Sequence, residues 1–202
     1  PYGTVSINGE KLATRTGNVI LLKDLFSTAI EKVREIINEK SPDLKEKEKD
    51  AIAESVGVGS IIFYYLYNNR IKDINFVMED ALSFDGNTGP YAQYTYARTC
   101  ALLEKAKDID CLETEPKITA PEESELLKVL SKFGENVREA IAEYEPSVIT
   151  RYVIDICSAF NKFYHNCPII SENDEAARNT RIRLVSATQT VLGSAFGLIC
   201  IK

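Results

Sequence analysis

Leu22, Leu25, Phe26, Ala29, Ile30, Val33, Ile36 and Ile37 return every three or four residues. That spacing lines one face of a helix and predicts an amphipathic helix over 23–38. Ahead of it the pattern changes. T-V-S-I-N-G-E-K-L-A-T-R-T-G-N-V-I-L-L sets short β-branched runs around Asn8-Gly9 and Gly17-Asn18, and Asn-Gly between such runs predicts a β-hairpin. The mixed-charge run D-L-K-E-K-E-K-D at 43–50 reads as a solvated helix face or a loop. Gly57 and Gly59 interrupt the chain before S-I-I-F-Y-Y-L-Y-N-N-R (60–70), an apolar helix expected in the core.

Gly86, Asn87, Gly89 and Pro90 form a turn that leads into a helix predicted from Tyr91 to about Lys107. Residues 108–120, broken at Pro116, read as a linker. Pro121 with Glu122, Glu123 and Glu125 is a strong helix start, because proline suits the first helical position and acids suit the positive end of the helix dipole. One stripe of that helix carries Leu126, Leu127, Leu130, Val137 and Ile141. Pro146 opens another, with Val148, Ile149, Tyr152, Val153, Ile156, Phe160 and Phe163 facing inward and Pro168 closing it. Glu172-Asn173-Asp174-Glu175 starts a long last helix with Leu184, Val185, Val191, Leu192 and Phe196. From residue 90 onward this gives four long helices with short connections, an all-α antiparallel bundle preceded by a short β-hairpin. Strand is expected only in the first twenty residues.

Composition narrows the class. The 202 residues are 45% hydrophobic and 27% charged, enough apolar side chains for a sizeable core. A net charge of −6 argues against a non-specific binder of nucleic acid or anionic membrane, which needs a basic surface. An RNA reader on this chain has to use local cations and base contacts. The five cysteines (Cys100, Cys111, Cys157, Cys167 and Cys200) are scattered and never paired as C-x-x-C, which favours reduced core thiols over a disulfide framework or a zinc site. There is no signal peptide or membrane-length apolar run. The chain begins at Pro1 and has Met78 as its one methionine, so it is expected to be a piece of something longer.

Candidate chemistry is concentrated in a few places. In K-L-A-T-R-T-G-N, Lys11 and Arg15 lie four apart in a small polar loop, either as cations for a polyphosphate or as an ordinary basic hairpin tip. Tyr91, Tyr94 and Arg98 fall near one helical face, while Gln93 and Tyr96 point elsewhere. A tyrosine face with an arginine a turn later suits an unstacked RNA base and its phosphate, though aromatics also fill bundle cores. Phe160, Asn161, Phe163 and Tyr164 make a second aromatic-amide cluster. His165 is the lone histidine, so a triad or metal cage is not expected. Arg178, Arg181 and Arg183 form either a salt-bridged face or a phosphate patch.

K-L-A-T-R-T-G-N-V-I-L-L-K-D-L-F resembles the KMSKS-type signature loop of arginyl-tRNA synthetases. F-V-M-E-D-A-L-S-F-D-G-N-T-G-P-Y-A-Q-Y-T-Y-A-R (76–98) resembles that family's entry into its DALR-type helical anticodon-binding domain, and A-R-N-T-R-I-R-L-V-S-A-T-Q-T-V-L-G-S-A-F-G-L-I-C-I (177–201) resembles the domain's last helix. The likeness covers essentially the whole chain. It implies a cytoplasmic arginine-tRNA ligase that uses arginine, ATP and Mg2+ and has arginine-specific tRNA as its partner, with no membrane or DNA and as a monomer. Lys11 and Arg15 match the loop's cations, while Ala13, Thr14 and Thr16 depart from its pattern. No HIGH-type motif is present, so the chain alone is expected to bind no ATP and make no adenylate. The implied organisation is a catalytic-domain remnant over 1–22, a helical connecting segment over 23–85, and an anticodon-binding bundle over 86–202. Tyr94, Arg98 and Phe160 match the family's pocket for the middle anticodon cytosine, whose tail wall is expected to be missing beyond Lys202. The alternatives are a stand-alone helical interaction module and a cysteinyl-type synthetase fragment.

Overall fold

The computed structural model describes residues 2–11, 20–111 and 114–201. The first elements are strands β1 (Val5–Ile7) and β2 (Glu10–Lys11), joined antiparallel through Asn8 and Gly9, whose φ values of 50° and 82° make the Asn-Gly turn. Gly17-Asn18 and Arg15 lie outside the described residues. A third strand, β3 (Ile74–Phe76), pairs parallel to β1, so strand is not confined to the first twenty residues. Its three residues carry no period of their own; the pairing comes from Thr4, Ser6 and Asn8 bonding across a long crossover.

That crossover is α1 (Leu22–Lys40) and α2 (Glu46–Tyr67), which pack together as an antiparallel pair. The charged run at 46–50 is the first turns of α2, and the helix continues through Gly57 and Gly59. Both glycines mark close approach. A Cβ on Gly57 would sit 2.9 Å from the backbone nitrogen of Ile30 on α1. The first core holds Leu25, Ala29, Val33, Ile61 and Phe76. Phe76 lies flat on Tyr65 (5.6 Å, 4°) and edge-on to Tyr64.

After a short α3 (Met78–Ala81) come α4 (Gly89–Lys105), α5 (Pro121–Ser131), α6 (Phe133–Glu143), α7 (Ser147–Asn166) and α8 (Glu175–Leu198). The helix read across 121–141 is two helices, parted at Lys132, next to Gly134. The break takes Ile141 off the core stripe and leaves it two-thirds exposed, while Leu126 and Leu130 stay buried. The second core is built on α7, with Ile149, Tyr152, Val153, Ile156, Phe160 and Phe163 packed against Leu126, Val185 and Leu192. Phe63 of α2 belongs to it too, so α2 is shared by both cores. All five cysteines are free; Cys157 and Cys167 are buried, but Cys200 is exposed rather than a core thiol.

Candidate nucleic-acid interface

The start of α4 is fixed from both sides. Gly86 takes a left-handed φ of 84° in the preceding turn. Thr88 then caps the helix: its hydroxyl accepts from the Tyr91 amide at 3.3 Å and donates to the Ser83 carbonyl at 2.6 Å. Gly89 is pressed onto α2, where a Cβ would lie 3.0 Å from Cα of Ser60 and 3.1 Å from Cβ of Phe63. The register of every later side chain on α4 follows from this contact.

On the outward face, the Arg98 guanidinium carbon lies 4.9 Å from the ring centre of Tyr94 and 4.7 Å from that of Tyr164 on α7. Both distances are within the range of a cation–π contact. Arg98 Nη1 donates to Oδ1 of Asn161 at 2.6 Å. The Asn161 amide nitrogen donates in turn to the Tyr91 hydroxyl at 2.8 Å and the Thr95 hydroxyl at 3.4 Å. Tyr94 is 56% exposed and Tyr164 37%. The result is a cluster in which one guanidinium contacts two partly exposed tyrosine rings from different helices.

Phe160 does not belong to that surface. It is fully buried, 6.3 Å from the ring of Tyr164 and tilted 26° to it. Its place in the row Ile156, Phe160, Phe163 is the core stripe of α7, and Tyr164 one turn on is the aromatic that emerges. Gln93 and Tyr96 face other helices: the Gln93 amide donates to the Ser55 carbonyl at 3.3 Å, and Tyr96 meets Phe196 edge-on at 5.7 Å.

The sequence model described as the DALR anticodon binding domain matches residues 92–202, a stretch that contains the α4–α7 cluster and the bundle beneath it. The chain belongs to the DALR anticodon-binding domain family. Residues 1–78 match the catalytic domain of class I tRNA synthetases (R), which accounts for the small sheet and for α1 and α2.

The relatives of this DALR-family chain are consistent. It is 46% identical over 202 residues to an arginine–tRNA ligase of Clostridium perfringens and 40% identical to one of Ligilactobacillus salivarius. It spans 98% and 100% of itself in these matches, and 35% of each relative. Its fold superposes on Thermus thermophilus arginyl-tRNA synthetase with a TM-score of 0.89 at 30% identity, over 99% of this chain and 34% of that one. Plasmodium falciparum arginyl-tRNA synthetase shares the fold at 24% identity, with a TM-score of 0.82.

Arg178, Arg181 and Arg183 make contacts within the DALR-family bundle. Arg181, 5% exposed, donates from Nε to Glu123 at 2.6 Å, from Nη1 to Glu172 and the Pro168 carbonyl at 2.6 Å, and from Nη2 to Thr119 at 2.9 Å. Burial works against both charges of the Arg181–Glu123 pair. Their mutual hydrogen bond, with the Thr119 and Ala120 amides on Glu123, outweighs it, so the Arg181 pKa is raised and the Glu123 carboxyl lies below its ordinary range. Arg183 donates to the Thr114 carbonyl and Arg178 sits 3.9 Å from Glu175. Two of the three arginines, Arg178 and Arg181, are ion-paired and Arg183 is bonded to a backbone carbonyl, which fits the salt-bridged reading of the triplet. His165 is exposed on the last turn of α7, edge-on to Tyr164 at 5.7 Å. Lys11 falls in β2, apart from this face, and Arg15 lies outside the described residues. Among the described residues no group of three or more His, Cys, Asp or Glu side chains is placed to hold a metal ion.

Proposed function

We propose that this chain is the tRNA-reading part of an arginine–tRNA ligase, a cytoplasmic monomer that joins arginine to its tRNA at the expense of ATP. The observation that carries the reading is the Tyr94–Arg98–Tyr164 cluster on the DALR-family bundle. With Nη1 of Arg98 given to Asn161, its remaining N–H groups meet a base edge or phosphate, and the partly exposed Tyr94 and Tyr164 rings supply the stacking surface beside it. Stacking of this kind contributes about 1–3 kcal/mol per base. The base proposed is the middle cytosine of the anticodon. The acidic chain suits this mode, since affinity comes from stacking and edge contacts with few phosphates.

In the whole enzyme, Lys11 and Arg15 belong to a loop that draws charge off the ATP phosphates as arginyl-adenylate forms. Mg2+ would accompany the ATP in the whole enzyme. Residues 1–22 are read as the loop-bearing catalytic part, 23–85 as a connecting helical segment that overlaps the 1–78 catalytic-domain match, and 86–202 as the anticodon binder.

The test is a fluorescence titration with an anticodon stem-loop carrying a middle cytosine or a middle guanine. The cytosine form should bind preferentially, and Arg98→Ala should cost about 1–3 kcal/mol of that binding with little change in stability. Equal binding of both stem-loops, or none, would remove the anticodon assignment. ATP–pyrophosphate exchange by this chain alone would contradict the expectation that it makes no adenylate.

A further inference from the structure

Asn161 is fixed on three sides. Its amide nitrogen serves Tyr91 and Thr95, which leaves only the carbonyl oxygen to face Arg98. Reversing the amide would set its NH2 against the guanidinium, donor against donor, so the orientation is determined by the network. With Nη1 held by Asn161 and the guanidinium carbon 4.9 and 4.7 Å from two ring centres, rotation of the guanidinium is restrained. Its Nε–H and Nη2–H, which point the same way, have no partner among the described residues.

We infer that Asn161 is a positioning residue for Arg98, aiming these two parallel donors at the base edge and so setting a preference for cytosine over uracil. This rests on the proposed reading of the site. The physical reason lies in the bases. Cytosine presents two adjacent acceptors, N3 and O2, to a pair of parallel donors. Uracil carries a hydrogen on N3, which opposes one donor and leaves it unsatisfied. A guanidinium free to turn would offer single donors to either base and lose the distinction.

The experiment uses the full chain, stem-loops with middle cytosine or uracil, and arginine side-chain NMR without RNA. The wild-type ratio of affinities should favour cytosine by about tenfold. Asn161→Ala should reduce that ratio to the value of Arg98→Ala, and the Arg98→Ala/Asn161→Ala double variant should lose nothing further. Asn161→Asp, which still accepts from Arg98, should keep the ratio even where its charge lowers both affinities. A mere fold defect would weaken both stem-loops alike and would not be rescued by the aspartate.

In the RNA-free arm, the Arg98 N–H signals should show hindered rotation and ring-current shifts in wild type and Asn161→Asp. They should be averaged in Asn161→Ala. Hindered signals persisting in Asn161→Ala, or an Asn161 effect undiminished in the Arg98→Ala background, would overturn the assignment. If wild type fails to prefer cytosine over either guanine or uracil, the anticodon reading falls. The NMR arm then still decides whether Asn161 holds Arg98.

Discussion

Replacing Arg181 with methionine tests the claim that this arginine supports the bundle and takes no part in binding RNA. The substitution keeps most of the stem's packing and removes the guanidinium, leaving a fully buried Glu123 carboxylate without its cation. Breaking a buried pair from one side costs about 3–5 kcal/mol. Here the Thr119 and Ala120 amides still bond Glu123, at 2.6 and 3.1 Å, so the lower end, about 3 kcal/mol, is expected. For a chain of this size that is a fall in Tm of about 6–12 °C. The sign of the pH dependence follows from Glu123. Its pKa is lowered in the folded state, so the pair's stabilisation is present above the ordinary carboxylate pKa and is lost as pH falls through the folded value. Urea unfolding of both proteins at neutral and acid pH should give a gap that narrows on acidification. A gap below about 1 kcal/mol, or one that does not change with pH, would refute the reasoning. Stem-loop binding by the folded variant should be unchanged.

Phe160→Ala should cost about 3–5 kcal/mol of stability by leaving a cavity under the site, whereas Tyr164→Ala should cost stem-loop binding with little change in Tm; paired melts and titrations separate the two. Gly57→Ala places a Cβ against the α1 backbone and should destabilise by about 1–3 kcal/mol, measured by urea unfolding. Gly59→Ala meets only the Nε2 end of the flexible Gln93 side chain, at 3.0 Å, and should change stability by less than about 1 kcal/mol. A thiol reagent at mildly alkaline pH should label exposed Cys200 first. Burial pushes the Cys157 thiol up to about 12, so it should react only on unfolding, as followed by peptide mass mapping.

Much of this molecule was legible along the chain. The periods at 22–37 and 148–163, the prolines at 121 and 146, the polar start at 172–175 and the Asn8-Gly9 turn are local devices. Backbone sterics and side-chain spacing fix helices and turns over a few residues, and the structure places each where those devices stand. The outward face of α4 was legible for the same reason, since Tyr94 and Arg98 are one turn apart on a helix whose start is fixed by its own loop.

Contacts between distant segments had no such signal. β3 exists because β1 lies beside it, and Gly57 and Gly59 read as breaks because nothing nearby reveals that α1 and α4 press against them. Arg181 looks like its neighbours in sequence, and only the approach of Glu123 and Glu172, from α5 and the α7–α8 connection, buries it. Phe160 and Tyr164 are equally aromatic. Which of them meets solvent depends on how α7 is turned against α4 and α8, and that rotation is set by the packing of the whole bundle.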